Sequence, residues 1–433
     1  MTVPEGIPNP HNLVCRLRKS LYGLKQASRE WFDKLQSELL DQGFVKSKND
    51  CCLFIKRHDT HITIMVVYVD DIIITGTDIA SITAIKQHLD IAFSIKDLGV
   101  LHYFLGIEVD YVPDGTVLTQ SKFTKELLHN LPFDVSKKVA TPLPAALKLN
   151  NETGPLIQDP EIYRSLVGKL NYLTNTRPDL NYSVQVLSQF MHAPRVPHWE
   201  ALIHTIRYIA HSCHQGILLR ASDQLTLQAY SDSDWAACPN TRRSITGYVL
   251  LFGSSPVAWK SKKQSTVSKS SSESEYRAMA SAAADVTWTV RLLEELGVTN
   301  LKPVTLHCDN QSSIAIAKNP VFHERTKHIE IDMHFTRDKV MEGLLQLTYL
   351  PTTQQLADVF TKILPASQFD LLLSKLGVVS SPPTLRGDIE YNTSQHQAHV
   401  AHAHHSDIIS QHKDTLVDLS VLFRNLQMPH HPP

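Results

Sequence analysis

Residues 225–260 read LTLQAYSDSDWAACPNTRRSITGYVLLFGSSPVAWK, and this stretch decides how the second half of the chain folds. Its apolar runs, Leu225–Ser233, Ile245–Phe252 and Pro256–Lys260, are separated by turn-forming residues and are typical of β-strands. The elements predicted after it are the helix Ser272–Leu296, the strand Val304–Cys308 and the helix Gln311–Lys318. Three successive strands followed by this alternation predict a mixed sheet flanked by helices.

Four carboxylates stand at the edges of these predicted elements. Asp232 lies at the end of the first strand, and Glu275 lies in the first turn of the long helix. Asp309 follows the fourth strand, and Asp358 begins a later helix. If the fold brings these ends together, the acids form one pocket that suits two Mg²⁺ ions flanking a scissile phosphate. Because neighbouring carboxylates repel one another, we expect metal to stabilise such a fold.

Each acid also has a purely structural explanation. Ser272 and Glu275 have the spacing of a capping box at a helix start. Asp309 is placed to cap the helix that follows it. Asp232 and Asp234 are of a residue type that is favoured in turns. Only their common location in a folded pocket distinguishes the two explanations.

A second acidic feature lies upstream, in the segment Tyr68-Val69-Asp70-Asp71. The apolar runs Ile62–Val69 and Ile72–Thr75 on either side predict a tight hairpin with acidic residues at its turn. Two adjacent carboxylates between apolar strands are the ligands that nucleotidyl transfer requires for a pair of Mg²⁺ ions. The alternative is an ordinary polar hairpin turn, in which Asp is common.

Several local segments occur in a characteristic order along the chain. They are Leu21-Tyr22-Gly23-Leu24-Lys25-Gln26, Tyr68-Val69-Asp70-Asp71, Phe104-Leu105-Gly106, Trp259-Lys260-Ser261-Lys262-Lys263-Gln264, Arg325-Thr326-Lys327-His328-Ile329 and Ala357-Asp358-Val359-Phe360-Thr361-Lys362. Over roughly residues 12–376 the chain resembles the C-terminal part of a copia-type retrotransposon polyprotein (Pol), which is the rear portion of a reverse transcriptase followed by a ribonuclease H domain.

The resemblance implies a role for each matching residue. In the reverse transcriptase part, Asp70 and Asp71 would be catalytic metal ligands. The residues near the nucleotide, template and primer would be Gly23, Lys25, Gln26, Leu105 and Gly106. In the ribonuclease H part, the catalytic carboxylates and metal ligands would be Asp232, Glu275, Asp309 and Asp358, with Asp234 as the alternative to Asp232. The cofactor implied is Mg²⁺ or Mn²⁺, two ions per active site.

Two departures from the family pattern bear on activity. The polymerase site of the family uses a third aspartate upstream of the Leu-Tyr-Gly segment, yet residues 1–32 contain no Asp. The fingers and the first palm strand are missing as well, so we expect this chain alone not to polymerise DNA. The loop Tyr349–Thr353 also lacks the histidine that precedes the last aspartate in bacterial and retroviral ribonucleases H. We therefore expect slower turnover of RNA.

The predicted fold class is α/β (α+β), with four regions. They are a truncated reverse transcriptase palm (1–110), a thumb/connection-like helical region (111–222), a ribonuclease H-like domain (223–376) and a His-rich tail expected to be disordered (377–433). Residues 120–220 are predicted to be mostly helical.

Nucleic-acid contacts are expected from local basic loops, because the net charge of the chain is only −1. Arg242, Arg243, Lys262 and Lys263, with Trp259 nearby, suit the phosphates and sugars of a duplex. The alternative is a solvated charged face.

The chain is expected to be intracellular, cytoplasmic or nuclear, and not secreted. Its N-terminus has no secretory signal pattern, its longest apolar run is interrupted by Asp70 and Asp71, and its six cysteines form no C-x-x-C pair. The sequence thus predicts a metal-dependent ribonuclease H attached to a polymerase remnant. The expected partners are RNA–DNA hybrid, template–primer nucleic acid and other retroelement proteins, with no membrane. The alternative is a catalytically inert nucleic-acid-binding remnant.

Overall fold

In the computed structural model the chain forms two compact units, whose described residues lie within 2–99 with 399–400 and within 100–380. The structure describes residues 2–3, 6–11, 13–16, 24–129, 131–222, 224–318, 330–380 and 399–400. Both units combine helices with β-sheets, which confirms the predicted fold class. The four predicted regions and the boundaries between them stay a prediction. Gly23, Arg325–Ile329 and most of the tail lie outside the described residues.

The first unit is a five-stranded sheet with two helices. Its elements are α1 (Ala27–Asp41), β1 (Val45–Lys46), β2 (Leu53–His58), β3 (His61–Tyr68), β4 (Asp71–Gly76), α2 (Ile79–Phe93) and the late strand β15 (His399–Val400), with strand order β1-β2-β3-β4-β15. Leu35 and Leu39 of α1 share one core with Met65 and Val67 of β3 and with Ile85 of α2. These positions recur at helical spacing in α1 and at spacing two in β3, so each element turns one apolar face toward this core.

The second unit contains an antiparallel sheet that the sequence pattern did not predict. Its strands are β5 (Tyr103–Phe104), β6 (Ile107–Val112), β7 (Gly115–Thr119), β8 (Gln215–Arg220) and β14 (Val378–Ser380), in the order β14-β8-β7-β6-β5. The prediction that residues 120–220 are mostly helical was therefore wrong for β8, and it was wrong as well for residues 131–159, which form no helix. A run as short as Ile217-Leu218-Leu219 fits a strand or a helix equally well, and its partner β7 lies about a hundred residues earlier.

Four α-helices lie between β7 and β8 in the described part of the chain. They are α3 (Ser121–His129), α4 (Pro160–Leu173), α5 (Asn181–Ser188) and α6 (Val196–Ala210), with a 3-10 turn at Pro178–Leu180. The helix α4 begins where the sequence changes from loop to helix signals, because Asp159 accepts a hydrogen bond from Glu161 N at 3.0 Å and Pro160 occupies the first turn.

The second unit also contains the mixed sheet. Its elements are β9 (Leu227–Asp234), β10 (Ile245–Phe252), β11 (Ser255–Lys263), α7 (Ser271–Leu296), β12 (Val304–Cys308), α8 (Gln311–Lys318), α9 (Glu330–Met341), β13 (Leu345–Tyr349), a 3-10 helix (Leu356–Phe360) and α10 (Ala366–Lys375). The strand order is β11-β10-β9-β12-β13; β9, β10 and β11 pair antiparallel, and β12 is parallel to both β9 and β13. This is the predicted mixed sheet flanked by helices.

The register of the mixed sheet fixes what meets at one edge. Because β9 and β12 are parallel, their carboxyl ends lie at the same edge. Asp234 pairs with Ile245, which pairs with Lys263. The start of β10 and the end of β11 therefore lie at that edge as well. Helix α7 crosses β9 and β10 with buried alanines such as Ala278 and Ala282, whose small side chains let the helix lie close to the sheet.

No helix in the described part of the chain has the length and apolar character needed to cross a membrane.

Candidate active site

The four acids predicted from the sequence lie together at this edge of the mixed sheet. Each comes from a different element: Asp232 from β9, Glu275 from α7, Asp309 from the residue after β12 and Asp358 from the 3-10 helix. Asp358 was expected to open a helix and lies instead inside the short 3-10 helix. Local sequence places Asp232, Glu275 and Asp309 near the ends of their elements, and the sheet register and the packing of the 3-10 helix bring the four acids together.

A lysine links two of the acids. The Lys362 ammonium lies 3.3 Å from Asp232 Oδ2 and 2.9 Å from Asp358 Oδ1. Asp232 also accepts a hydrogen bond from the Thr361 hydroxyl. Both carboxylates are almost fully buried, with 2% and 1% of their surfaces exposed. The pair is therefore held close together by an internal cation.

The other two acids form the second half of the cluster. Glu275 Oε1 accepts a hydrogen bond from Ser233 N at 3.2 Å, and Cys308 Sγ lies 3.9 Å from Glu275 Oε2. Asp309 Oδ2 accepts a hydrogen bond from the Thr352 hydroxyl at 2.7 Å. One potential ligand atom from each of Glu275, Cys308 and Asp309 lies within 4.8 Å of the others.

Burial and mutual repulsion shift the protonation of this cluster. Burial, and then Asp232 and Asp309, raise the pKa of Glu275 well above its usual range. Burial and Asp232 also raise the pKa of Asp358 to about 7, although Lys362 opposes the shift. Burial alone disfavours the charge on Lys362, but Asp232 and Asp358 outweigh it and raise the pKa of its ammonium. Burial and mutual repulsion disfavour the charged form of these carboxylates, and a bound cation would stabilise that form.

The structural explanations for these acids do not describe what is found. The cap of α7 is Ser270, whose hydroxyl accepts from Glu273 N at 3.2 Å, so Glu275 is not the capping-box residue. Asn310, not Asp309, caps α8 by accepting from Ser313 N at 2.9 Å.

Two residues of β9 could supply its acid to the pocket, Asp232 and Asp234. Asp232 and Asp234 both lie within β9 and not in a turn. Burial raises the pKa of Asp234, and Lys362 opposes that shift. Asp232 is the one held by Lys362 and Thr361, which favours it over Asp234 as the first acid of the pocket.

Gln264 holds the start of α7 against the sheet. Its buried amide donates to Ser274 O at 2.9 Å and to Thr246 Oγ1 at 3.0 Å, and its oxygen accepts from Ser268 Oγ at 2.9 Å. The amide therefore ties α7 to β10 immediately before Glu275.

Gly247 lets the 3-10 helix lie directly on β10. A Cβ at this position would meet Thr361 Cγ2 at 2.6 Å and Phe360 Cβ at 2.8 Å. Since Gly247 pairs with Asp232 across the sheet, the missing side chain is what allows Asp358 to approach Asp232.

The donor set fits a hard divalent cation. Carboxylate oxygens are the ligands that Mg²⁺ and Mn²⁺ prefer, and four of them lie together here. The Cys308 thiol is a poor ligand in this setting, because burial and then Glu275 raise its pKa. The residues that would hold the ion are therefore Asp232, Glu275, Asp309 and Asp358.

The predicted basic residues border the same edge. Arg242 and Arg243 lie in the connection between β9 and β10, and Lys262 and Lys263 end β11. Arg242 and Lys262 are exposed, while Arg243 and Lys263 are half-buried. Their role in substrate binding stays a prediction.

The predicted polymerase residues are divided between the two units. Asp70 and Asp71 lie in the first unit, where Tyr68 pairs with Asp71. The hairpin turn is therefore Val69-Asp70, one residue earlier than predicted. Lys25 and Gln26 of the same unit are exposed.

The other two residues of that prediction belong to the second unit. Leu105 and Gly106 form the turn between β5 and β6, where the Tyr172 hydroxyl donates to Leu105 O. Gly23 lies outside the described residues.

Sequence reasoning missed Lys362 and Thr361 as members of the pocket. Both belong to the segment Ala357–Lys362, and Lys362 follows Asp358 by four residues. An acid and a lysine four residues apart are a recognisable signal, but the pattern alone predicts only a surface pair.

Comparisons with known proteins agree with these observations. Residues 1–145 match the family described as "Reverse transcriptase (RNA-dependent DNA polymerase)". The chain is 44% identical over 389 residues to the "Retrovirus-related Pol polyprotein from transposon RE2" of Arabidopsis thaliana, covering 89% of this chain and 27% of the relative. It is 31% identical over 278 residues to the "Putative transposon Ty5-1 protein YCL074W" of Saccharomyces cerevisiae, covering 63% of this chain and 90% of the relative. The chain thus spans about a quarter of the RE2 polyprotein's length.

Among solved structures, the crystal structure of RNase H1 from Halobacterium salinarum covers 31% of this chain and 94% of its own, with 18% identity and a TM-score of 0.23. The strand order described above, and not this likeness, defines the fold of the mixed sheet.

Proposed function

The chain belongs to the family of copia-type retrotransposon Pol polyproteins, and from that premise we propose that its second unit is a metal-dependent ribonuclease H acting on RNA–DNA hybrids. The observation that carries the proposal is the cluster of Asp232, Glu275, Asp309 and Asp358 around one point. Three buried acids beside a fourth, half-buried one are costly to assemble unless they bind a cation.

The residues of the pocket have distinct tasks in this proposal. When bound, Mg²⁺ or Mn²⁺ in the proposed two-ion arrangement would activate water and stabilise the charge on the departing 3′ oxygen. Glu275 and Asp358 must lose their protons before they can bind a cation, since burial raises the pKa of both. Thr361 and Thr352 orient Asp232 and Asp309 by donating hydrogen bonds to them.

Lys362 is the cationic side chain of this pocket. Its ammonium offsets the repulsion between Asp232 and Asp358 and would attract a phosphate to the cluster. The basic residues Arg242, Arg243, Lys262 and Lys263 would hold the rest of the duplex by its phosphates, and contacts to 2′-hydroxyls would identify the RNA strand.

A second candidate is a nucleic-acid-binding remnant without turnover. The position of Lys362 favours it, because an ammonium that already contacts two of the acids competes with a metal for them.

The test is cleavage of a labelled RNA–DNA hybrid by the full chain with Mg²⁺ or Mn²⁺, beside a duplex-DNA control. We expect cutting of the RNA strand only, and its loss in Asp309→Asn. The matched control is Asp370→Asn, an exposed aspartate on α10. A folded wild-type chain that cuts no hybrid would refute the enzyme proposal and leave the binding remnant.

A further inference from the structure

A polar cleft of about 480 Å³ lies in the second unit, between the helices α4 and α5 and the strand β11. Asn171, Asn181, Gln185 and Ser188 line its helical wall. Ser261, Lys262 and Lys263 line its strand wall. The helical residues belong to the thumb/connection-like region, in which the sequence predicted no site residue, so this wall has no role in the catalytic proposal.

Two hydrogen bonds fix the walls of the cleft to each other. The Trp259 indole donates to Thr174 O at 3.1 Å, and the Lys263 ammonium donates to Gln189 Oε1 at 2.7 Å. These bonds join the helices to the strand at two separate points. The cleft is therefore formed before any ligand enters it, and a ligand would not bear the entropy cost of ordering it.

The chemistry of the lining fits a sugar–phosphate strand. Side-chain amides and hydroxyls can both donate and accept, as sugar hydroxyls and phosphate oxygens require, and the two lysines supply positive charge. The residues that line the cleft include no carboxylate among those the structure describes. The buried Ser261 hydroxyl has no hydrogen-bond partner among the described residues, and an unpaired buried hydroxyl favours a ligand that would satisfy it.

The sheet register places the cleft next to the acidic pocket. Ser261 pairs with Gly247, which pairs with Asp232, and residues directly opposite in neighbouring strands point to the same face of a sheet. The row spans two strand spacings, which is about 10 Å. Measured along the axis of a duplex, where successive nucleotides of one strand rise by about 3.4 Å, that distance corresponds to about three nucleotides.

Helix α5 connects the two places. Tyr182 near its start lines a small cavity of about 20 Å³ together with Lys362 of the acidic pocket. Gln185 and Ser188, one and two turns further along, line the polar cleft. One helix thus reaches from the acids to the cleft.

We infer that this cleft binds the backbone of one strand of the hybrid about three nucleotides from the cut. The inference rests on the proposed function for the identity of the ligand. It gives the helical region a direct part in holding the substrate and fixes how far the held phosphates lie from the acids.

The test measures binding apart from cleavage. The full chain is titrated into a fluorescent RNA–DNA hybrid without divalent ions, and the anisotropy is followed at several salt concentrations. Gln185→Glu places a negative charge among the phosphates and should weaken binding about three- to tenfold. Lys262→Gln, at an exposed position, should reduce the salt slope by about one.

The matched control is Gln346→Glu, at an exposed position on β13. Strands β13 and β11 are the two outermost strands of the sheet, so this variant should bind the hybrid as the wild type does. If Gln185→Glu fails to fold, as judged by circular dichroism, Ser188→Glu takes its place, because the exposed Ser188 lies on the same helical wall and has no part in the proposed function. Wild-type binding in both cleft variants would overturn the inference.

Cleavage assays separate this inference from the proposed function. Binding that depends on the cleft in a chain that cuts no hybrid would support the inference and refute the ribonuclease proposal. Normal cutting by cleft variants whose binding is unchanged would do the reverse.

Discussion

The two acidic clusters of this chain are built in opposite ways. Asp70 and Asp71 are neighbours in one hairpin of the first unit, and both are half-buried. The acids of the second unit come from four separate elements, and Asp232 and Asp358 are almost fully buried. The hairpin needs only local structure to bring its acids together, whereas the pocket exists only if the whole mixed sheet forms.

The two clusters differ in what destabilises them. In the hairpin, the cost is a strained turn, because Val69 is a β-branched residue at φ +51°. In the pocket, the cost is desolvated and mutually repelling charge, which the packing of α7 and the 3-10 helix must offset. The pocket should therefore respond strongly to metal, pH and packing changes, and the hairpin should not.

The largest expected effect is on hybrid cleavage by the pocket. Removing a residue that hydrogen-bonds to a metal ligand typically lowers activity about 10- to 100-fold. Asp232 is proposed as a ligand itself, so Asp232→Asn should lower the cleavage rate by at least about 100-fold. The rate is measured with a labelled hybrid and saturating Mg²⁺. Cleavage retained in Asp232→Asn and lost in Asp234→Asn would show that Asp234 is the first acid.

The second prediction concerns packing beneath the pocket. Gly247→Ala should lower the free energy of unfolding by about 1–3 kcal/mol, because its Cβ would overlap Thr361 and Phe360. The measurement is denaturant unfolding. The control is Gly168→Ala in α4, where a Cβ meets nothing within 4 Å and stability should rise by about 0.5–1 kcal/mol. Equal effects at both glycines would contradict the close approach of the 3-10 helix to β10.

The third prediction is a pH dependence of the metal-free protein. Burial and Asp232 raise the pKa of Asp358 to about 7 in the folded state, so its contribution to stability is present at low pH and lost as the pH rises through about 7. Asp358→Asn should therefore show a smaller decline in melting temperature between about pH 4 and pH 7, the range between the unfolded and folded pKa.

Metal distinguishes the two clusters in the same experiment. At pH 8, Mg²⁺ should raise the melting temperature of the wild type by mass action, since it binds only the folded pocket. Asp232→Asn should lose this rise and Asp70→Asn should keep it. A rise that depends on Asp70 instead would break the contrast between the clusters.

The smallest expected effect lies in the hairpin. Val69→Gly should raise the free energy of unfolding of the first unit by about 1 kcal/mol, because glycine adopts a positive φ without steric cost. Denaturant unfolding of the wild type and of Val69→Gly measures this difference in stability. A destabilised Val69→Gly would mean that the exposed valine makes a contact worth more than the strain.

Sequence patterns predicted those parts of the fold that local periodicity specifies. The strand Ile245–Phe252, the strand Val304–Cys308 and the helix Gln311–Lys318 have the predicted bounds. The strand β8 was missed, because a short apolar run gains its conformation from the strand beside it, and that partner is distant in the sequence.

The candidate site divides in the same way. Asp232, Glu275, Asp309 and Asp358 were predicted by residue type and by position at element ends. The role of Lys362 and the polar cleft were not predicted from the sequence. Lys362 meets the acids only because the 3-10 helix packs on β10, and the cleft forms only because α5 faces β11.

By itself, the sequence determined the family, the order of most elements and the four acids, because motifs, hydrophobic period and residue type are properties of neighbouring positions along the chain. Only the tertiary structure decided which acid is held by Lys362, why Gly247 cannot be another residue, and where a cleft lies beside β11. Those features depend on distances between residues far apart in sequence, and sheet register and packing set such distances.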